Sequence, residues 1–268
     1  MRFAIAYSKL DPAGTNIVER LRETSFLPQS PIIELKKLPI YSDDLIEKNY
    51  SELKNIDFII FATTHRSVKG EHSLSVHAPG NWRDAKLGGK PGKVCRTSAF
   101  VLKYLFQELN KNLENSELKN KYQATMEVTH HGPLINLPCC FIEIGSSEEQ
   151  WGDTEAGKII AKTILSLQDF NERNYSWIPV IGIGGPHYSP NFNKIQLNSN
   201  YAISHIIPEY SLPLTGSMLK EAEEKTTEQI KEILLDWKGC GKSRQRQELI
   251  NIIENSGLQF KRTSAIEK

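Results

Sequence analysis

The stretch Phe58-Ile59-Ile60-Phe61-Ala62-Thr63-Thr64 is apolar for its first five residues and is followed directly by His65. A short, continuously apolar run predicts a β-strand that is covered on both faces, as in a sheet with helices on each side. Similar β-rich runs occur along the rest of the chain. The predicted strands span residues 3–7, 32–35, 57–63, 122–129, 139–144, 177–183 and 201–207.

Helical patterns lie between several of these runs, with apolar residues three and four positions apart. They cover residues 16–22, 97–109 and 154–167. Alternation of strands and helices predicts an α/β fold with a mixed, mostly parallel sheet flanked by helices. Residues 122–144 contain two predicted strands with no helix between them, so we expect some antiparallel pairing.

The composition changes after Pro213. Helices are predicted over Met218–Trp237 and Ser243–Asn255, and the glycines of Lys238-Gly239-Cys240-Gly241 suit the end of the first of these helices. We therefore expect one α/β domain over residues 1–268, in which residues 213–268 form a helical extension packed on the rest.

The composition excludes several classes of protein. The 268 residues include 33 Lys and Arg against 32 Asp and Glu, a net charge of +1, so the chain is not a generally basic nucleic-acid coat. No apolar run approaches the roughly 20 residues of a membrane helix, and residues 1–12 lack the pattern of a secretory signal. The sequence therefore predicts a cytoplasmic protein with no membrane partner.

Histidines follow three of the predicted strands. His65, the pair His130-His131 and His187 each come after a strand, and Glu143 lies within another. Because open α/β sheets bind ligands beyond the carboxyl ends of their strands, these side chains could converge on one cleft. Two chemistries fit such a set: a Zn²⁺ ion that activates water, or a histidine that acts directly as general base.

Adjacent residues of an extended chain point to opposite faces, so His130 and His131 could reach one ion only if the chain turns there. Gly132-Pro133 favours such a turn. Downstream, the glycines of Gly182-Ile183-Gly184-Gly185 indicate either a close approach of the backbone to a ligand or a tight turn with positive φ.

The C-terminal region has a local excess of positive charge. This excess suits contact with a phosphate backbone, although a solvated helix face explains it equally well. The residues concerned include Lys238, Lys242, Arg244 and Arg246.

The ordered motifs of the chain resemble the archaeal and plant type of D-aminoacyl-tRNA deacylase. The resemblance rests on residues 8–13, 64–65, 77–82, 126–133, 141–146 and 182–190, and it extends to residues 236–239. It implies a zinc-dependent hydrolase that cleaves the ester between a D-amino acid and the terminal ribose of tRNA. It also implies a fold similar to nucleoside phosphorylases and peptidyl-tRNA hydrolase. Pro186 departs from the family pattern, in which a small residue such as Gly is common.

Combining the residues with the resemblance, we expect one or two Zn²⁺ ions, a tRNA carrying a D-amino acid as partner, no DNA partner and a monomeric state. We assign zinc binding to His130, His131, His187 and His205. Catalysis is assigned to Glu143, His131 and Glu127. Substrate binding is assigned to His65, His77, Asn81, Gly184, Gly185 and Tyr188. Binding of tRNA is assigned to Lys238, Lys242, Arg244 and Arg246.

Two other functions stay open at this point. A nucleoside or nucleotide hydrolase or phosphorylase would use the same cleft for a free base and ribose. A non-catalytic tRNA-binding module would use the basic C-terminal residues alone.

Overall fold

The computed structural model describes residues 1–24 and 30–266. Its larger sheet has six strands in the order β2-β1-β3-β8-β4-β7. These are β1 (Phe3–Ser8), β2 (Ile32–Leu35), β3 (Phe58–Thr64), β4 (Ser73–His77), β7 (Gln123–Met126) and β8 (Cys139–Gly145). The two-residue strands β5 (Gly80–Asn81) and β6 (Lys93–Val94) pair separately.

A second sheet of four strands has the order β10-β9-β11-β12, and all of its pairs are parallel. Its strands are β9 (Ile178–Ile183), β10 (Tyr201–Ile207), β11 (Glu232–Leu235) and β12 (Gln259–Arg262). The mixed, mostly parallel α/β architecture predicted from the sequence is confirmed.

Antiparallel pairing occurs where β4 lies between β8 and β7. β4 runs antiparallel to β8, with Ser75 opposite Glu143, and parallel to β7. The predicted antiparallel pairing is therefore present, but its partner is a strand that the sequence analysis did not identify. Ser73-Leu74-Ser75-Val76-His77 alternates polar and apolar residues over only five positions, a weak signal for a strand that is buried along its whole length.

Seven α-helices connect these strands within the described residues. They are α1 (Pro12–Glu23), α2 (Ala99–Glu114), α3 (Glu148–Trp151), α4 (Thr154–Leu165), α5 (Pro190–Asn198), α6 (Gly216–Glu224) and α7 (Ser243–Asn255). Side chains cap the longer ones: Asp11 accepts from the Gly14 N–H and Ser98 from the Val101 N–H. None of the described helices has the length and apolar content needed to cross a bilayer.

The main hydrophobic core lies between one face of the six-stranded sheet and α1, α2 and α4. Along β8, Cys140, Ile142 and Ile144 belong to this core, together with Val180 and Ile203 of the second sheet. Phe141 belongs to a different core on the opposite face. That opposite face therefore carries this smaller core and, towards one edge, the polar side chains described below.

The predicted helix over Met218–Trp237 is wrong, because α6 ends at Glu224 and residues 232–235 form the strand β11. Ile233, Leu234 and Leu235 are all buried, as the central strand of a parallel sheet requires. Residues 213–268 are consequently not a purely helical extension, since they supply two strands of the second sheet. The helix predicted over Ser243–Asn255 is confirmed with those bounds.

Candidate active site

The polar centre lies on the face of the six-stranded sheet opposite α1, α2 and α4. Glu143 points from β8 to this face, next to Phe141 in the alternation of the strand. His77, at the end of β4, pairs with Phe141, and their rings stack with centroids 5.3 Å apart. His65 follows β3 directly and comes within 3.4 Å of a Glu143 oxygen. Strands β3, β4 and β8 therefore bring His65, His77 and Glu143 close together.

The segment that follows β7 joins this centre to the second sheet. Glu127 comes directly after β7, the Val128 N–H donates to the His187 carbonyl oxygen at 3.0 Å, and the Thr129 N–H donates to the Ile206 carbonyl oxygen at 3.1 Å. His187 lies beyond the carboxyl end of β9. The prediction that histidines following different strands converge on one site is confirmed for His65 and His187.

His77, His130 and His131 form a group whose ligand atoms all lie within 4.8 Å of one another. In each ring Nδ1 lies close to a backbone carbonyl oxygen, at 3.2 Å from Ala78, 2.9 Å from Val128 and 2.7 Å from Gly132 respectively. A carbonyl can only accept, so Nδ1 carries a proton and donates it. Metal-binding histidines are held in this way by a backbone oxygen.

His131 has φ 44°, in the left-handed region that non-glycine residues rarely occupy. This turn of the chain brings the rings of His130 and His131 to within 4.3 Å of each other, centroid to centroid. The predicted turn at this histidine pair is therefore present, and both rings reach the same centre.

A second group consists of His65, Glu127 and His187. Glu127 lies 2.7 Å from Nε2 of His187 and 3.1 Å from Nδ1 of His65. The outer ring nitrogens face tyrosine hydroxyls, with Tyr188 at 2.8 Å from His65 Nε2 and Tyr210 at 3.4 Å from His187 Nδ1. The two groups are adjacent, because Glu127 and Glu143 also form a ligand set with His77.

The carboxylates favour the protonated form of two histidines of the centre. Burial opposes the charged form of His65, but a hydrogen bond to Glu143 and the charge of Glu127 outweigh it and raise the pKa of His65 to about 9. The same balance raises the pKa of His77. Burial would raise the pKa of Glu127 and Glu143, yet the neighbouring histidines lower both.

His130 and His131 are neutral. Burial, together with the charge of neighbouring histidines, holds the pKa of His130 well below its usual value and lowers the pKa of His131 to about 4. A neutral imidazole with its proton on Nδ1 has a free lone pair on Nε2, which is the form that binds a metal ion.

Two buried atoms of the centre lack a hydrogen-bond partner in the part of the chain that the structure describes. They are Nε2 of His77 and Oε1 of Glu127, whose 3.1 Å contact with His65 Nδ1 is an ion pair without the geometry of a hydrogen bond. Buried polar atoms without partners are rare and costly, so each marks a place where an ion or a water fits. Imidazole nitrogens with carboxylates are the usual donor set for zinc, and the residues present therefore fit this metal.

A cavity of about 620 Å³ opens beside the second group. His65, His187 and Tyr188 line it on the side of the centre, and Arg66 and Lys69 line it further out. The cavity offers room for a substrate at the buried histidines, with positive charge at its outer part.

Comparison with known proteins identifies the family. A family model described as D-aminoacyl-tRNA deacylase matches residues 52–261. The chain belongs to the D-aminoacyl-tRNA deacylase family. Proteins named D-aminoacyl-tRNA deacylase from Methanocaldococcus jannaschii and Thermococcus onnurineus are 32% and 35% identical to it, respectively. These alignments cover 98% and 96% of this chain and 100% and 98% of the relatives.

A solved crystal structure, titled a conserved protein of unknown function, has the same fold. It matches with a TM-score of 0.87 at 28% sequence identity, covering 98% of this chain and 95% of that chain. The family resemblance inferred from the motifs is thus confirmed, and the deacylase fold extends over nearly the whole chain.

His205 does not join the histidine centre of the deacylase. It is fully buried, Thr129 Oγ1 lies 3.2 Å from its Nδ1, and its Nε2 faces the Lys225 carbonyl oxygen at 3.4 Å. The predicted strand contained this histidine, but the sequence could not show which face of the strand carries it. The geometry makes His205 a core residue rather than a ligand.

Burial lowers the pKa of His205 to about 4, from an ordinary value of 6.5. Between these values the unfolded chain binds a proton that the folded chain does not, so stability contributed by neutral His205 is lost as pH falls from 6.5 towards 4. We expect the difference in unfolding free energy between wild type and His205→Gln to shrink by up to about 3 kcal/mol from pH 7 to pH 4. Urea unfolding of both proteins measures it, and a constant difference would contradict the assignment.

Asn81 supports a loop near the centre. Its Nδ2 donates to the Gly88 carbonyl oxygen at 2.9 Å, and the Gly88-Gly89 backbone packs so closely on Gly132 that a Cβ there would lie 2.4 Å from Gly89 N. Gly132 accepts the hydrogen bond of His131. Asn81 is thus placed to position the His131 turn, whereas its predicted contact with substrate stays a prediction.

The backbone at Gly184 and Gly185 packs against another part of the protein and does not face an open cleft. Both have positive φ, of 95° and 81°, and a Cβ at either position would lie within 3.0 Å of Asp236. The Gly184 N–H already donates to the Ile207 carbonyl oxygen at 2.8 Å. Of the two interpretations of these glycines, the structure shows the tight turn with positive φ. The Gly184 N–H already donates a hydrogen bond within the protein.

The predicted tRNA-binding cations lie on the turn after β11 and on α7. Arg244 is paired with Glu248 at 3.0 Å, whereas the Arg246 guanidinium lies over the Trp237 ring, 4.8 Å from its centroid. Lys238 and Lys242 are exposed. The structure brings none of these four into the histidine centre.

Tyr210 was not predicted as a site residue, and His65 and His77 were predicted only to bind substrate. Tyr210 lies in the loop after β10, where an isolated tyrosine carries no recognisable signal. The alternation of Leu74 and Val76 with polar residues was a signal for the strand that ends at His77, but only the pairing of β4 with β8 places His77 on the same face as Glu143.

Proposed function

We propose that this chain hydrolyses the ester bond of D-aminoacyl-tRNA and releases the free D-amino acid and tRNA. Membership of the deacylase family supports this reaction. The observation that carries the site assignment is the group of His77, His130 and His131, in which every Nδ1 is held by a backbone oxygen while the Nε2 atoms converge. A centre of this kind next to an open cavity suits attack by water on a carbonyl.

We further propose that His77, His130 and His131 hold a zinc ion, with Glu143 beside them. Bound zinc lowers the pKa of a coordinated water towards ~7 and so supplies a nucleophile at neutral pH. His77 Nε2 and His131 Nε2 lie 3.7 and 4.0 Å from Oε1 of Glu143. This carboxylate is therefore placed to accept a proton from the attacking water.

The second group supplies the proton that the leaving ribose oxygen needs. Glu127 and Glu143 keep His65 protonated, and the Tyr188 hydroxyl connects His65 Nε2 to the cavity at 2.8 Å. A proton can pass from His65 Nε2 through this hydroxyl to the ribose oxygen as the ester bond breaks. Glu127 meanwhile orients His187 at the cavity wall.

Hydrolysis of matched D- and L-tyrosyl-tRNA by the purified protein tests this proposal. We expect cleavage of the D-ester alone, at least a hundredfold loss of rate after chelation, and recovery on addition of zinc. Metal analysis gives the stoichiometry: one zinc per chain fits the first group alone, and two would place a second ion at His65, Glu127 and His187.

Failure to cleave either ester would instead support one of the alternative functions, a nucleoside enzyme or a non-catalytic tRNA-binding module. Cleavage that persists after metal removal would retain the reaction but remove zinc from it. The monomeric state, the cytoplasmic location and the lack of a DNA partner stay predictions from the sequence.

A further inference from the structure

A cavity of about 950 Å³ lies on another face of α5, beside the active-site cavity. We call it the Trp237 groove. Its lining includes Asn191, Lys194, Ile195, Trp237, Lys238 and Ile266. Apolar side chains form part of its wall, and lysines stand at its edge.

The Trp237 groove adjoins the active site through α5. Pro190 and Asn193 line the active-site cavity, whereas Asn191 and Lys194 line the groove. With a rise of about 1.5 Å per residue, Pro190 and Lys194 are about 6 Å apart along the helix axis. A flexible chain that leaves the active-site cavity can therefore pass over the start of α5 into the groove.

The backbone also connects the two cavities. The turn that carries Trp237 and Lys238 ends at Gly239, where a Cβ would lie only 2.2 Å from Gly185 N. Gly185 belongs to the loop that leads to His187. The groove is thus held at a constant position relative to the catalytic histidines.

Lys194 and Lys238 line the groove, and Arg246 and Arg262 lie over the ring of Trp237, which also lines it. Within the described residues none of these four cations has a carboxylate partner. Two cations nearby are paired, Arg244 with Glu248 and Lys261 with Glu232, both at 3.0 Å. Nε of Arg246 is moreover buried with no hydrogen-bond partner. In a chain of net charge +1, such a cluster of unpaired cations favours an anionic ligand.

Trp237 holds the two arginines in place. The Arg262 guanidinium carbon lies 3.6 Å from the centroid of the indole ring, and that of Arg246 lies 4.8 Å away. A guanidinium stacked on an aromatic ring keeps its N–H groups free for phosphate oxygens. Asp236, an acid in the lining, is occupied by a hydrogen bond from Asn191.

We propose that the Trp237 groove binds the unpaired 3′ nucleotides of tRNA just upstream of its terminal adenosine. The inference rests on the proposed function, which places the terminal adenosine in the adjoining cavity. Phosphates contact Lys194, Lys238 and the two arginines, and bases lie against the apolar wall near Ile195 and Ile266. Cationic grooves with apolar surfaces are the usual binding sites of single-stranded nucleic acid.

Binding of two uncharged tRNAs tests the groove independently of catalysis. One is intact, and the other lacks its four unpaired 3′ nucleotides. We expect wild type to bind the intact tRNA at least tenfold more tightly. The double variant Lys194→Glu/Lys238→Glu should lose most of this difference, because only the contribution of the terminal adenosine is left, while binding the shortened tRNA as wild type does. Both lysines are exposed, so the variant should fold, and circular dichroism checks this.

Lys54→Glu is the matched control. Lys54 is exposed and precedes β3, at the opposite end of that strand from His65, so its reversal should leave the tenfold difference intact. The dependence of affinity for intact tRNA on salt should also weaken in the double variant, by about one unit of slope per lysine.

Several outcomes overturn the groove assignment. One is that wild type binds both tRNAs equally, and another is that the double variant keeps the wild-type preference for intact tRNA. The third outcome is that the double variant loses equal affinity for both tRNAs, which would mean that the lysines contact the body of the tRNA. The proposed function is judged separately, because it fails only if wild type does not hydrolyse D-tyrosyl-tRNA.

Discussion

His131→Ala should lower kcat/KM for D-tyrosyl-tRNA by roughly a thousandfold, a loss of about 4 kcal/mol of transition-state stabilisation. The substitution removes one of the three histidines that we propose to hold zinc, and two histidines should bind the ion far more weakly than three. Zinc content should fall with activity, by about one ion per chain. Kinetics with metal analysis on the same preparation measure both.

His72→Ala is the control for this variant. His72 packs against Tyr122 and faces Gln150, outside the groups that could hold a metal. Removal of this imidazole should therefore leave zinc content unchanged and activity within about threefold of wild type. A folded His131→Ala protein with full zinc and full activity would remove His131 from the mechanism.

Glu143→Gln should lower kcat roughly a hundredfold, within the usual range for loss of a general acid or base. The amide keeps the shape of the side chain but cannot accept a proton from water. The substitution also removes the hydrogen bond and charge that raise the pKa of His65 to about 9. His65 should then lose its proton at lower pH.

The profile of kcat against pH distinguishes these two effects. In wild type, activity should fall as pH rises through about 9, because His65 donates a proton only while protonated. In Glu143→Gln this limb should move to lower pH, after subtraction of spontaneous ester hydrolysis. Glu117→Gln, at an exposed position, should match wild type in rate and profile. A Glu143→Gln enzyme with an unchanged profile would exclude the link to His65.

The sequence predicted the α/β fold and part of the site because these depend on local patterns. Apolar runs identified the main strands, and His65 and His187 lie just beyond the carboxyl ends of strands, so their convergence could be inferred from topology. The turn at His130-His131 was also predictable, since two adjacent side chains cannot otherwise reach one centre. In the structure the chain makes this turn through the left-handed backbone conformation of His131.

The remaining site residues depend on strand order and on side-chain orientation. His77 reaches the centre because β4 is inserted antiparallel between β8 and β7, which no local pattern specifies. His205 lies in a correctly predicted strand, but its ring points into the core, where it meets Thr129. The error at Met218–Trp237 has a similar origin, because Ile233-Leu234-Leu235 suits a helix or a strand until the parallel neighbours of β11 are known.

The hydrogen bonds from Val128 and Thr129 to the second sheet determine when the chain can become active during its synthesis. These bonds require His187 and Ile206, so a nascent chain that ends before them holds Glu127 without its histidine partner. The 60 residues from Glu127 to His187 take several seconds to add at about 5–20 residues per second. The second group is therefore completed only after His77, His130 and His131 have been made, so the histidines proposed to hold the metal are all present in the growing chain seconds before Glu127 gains its partner.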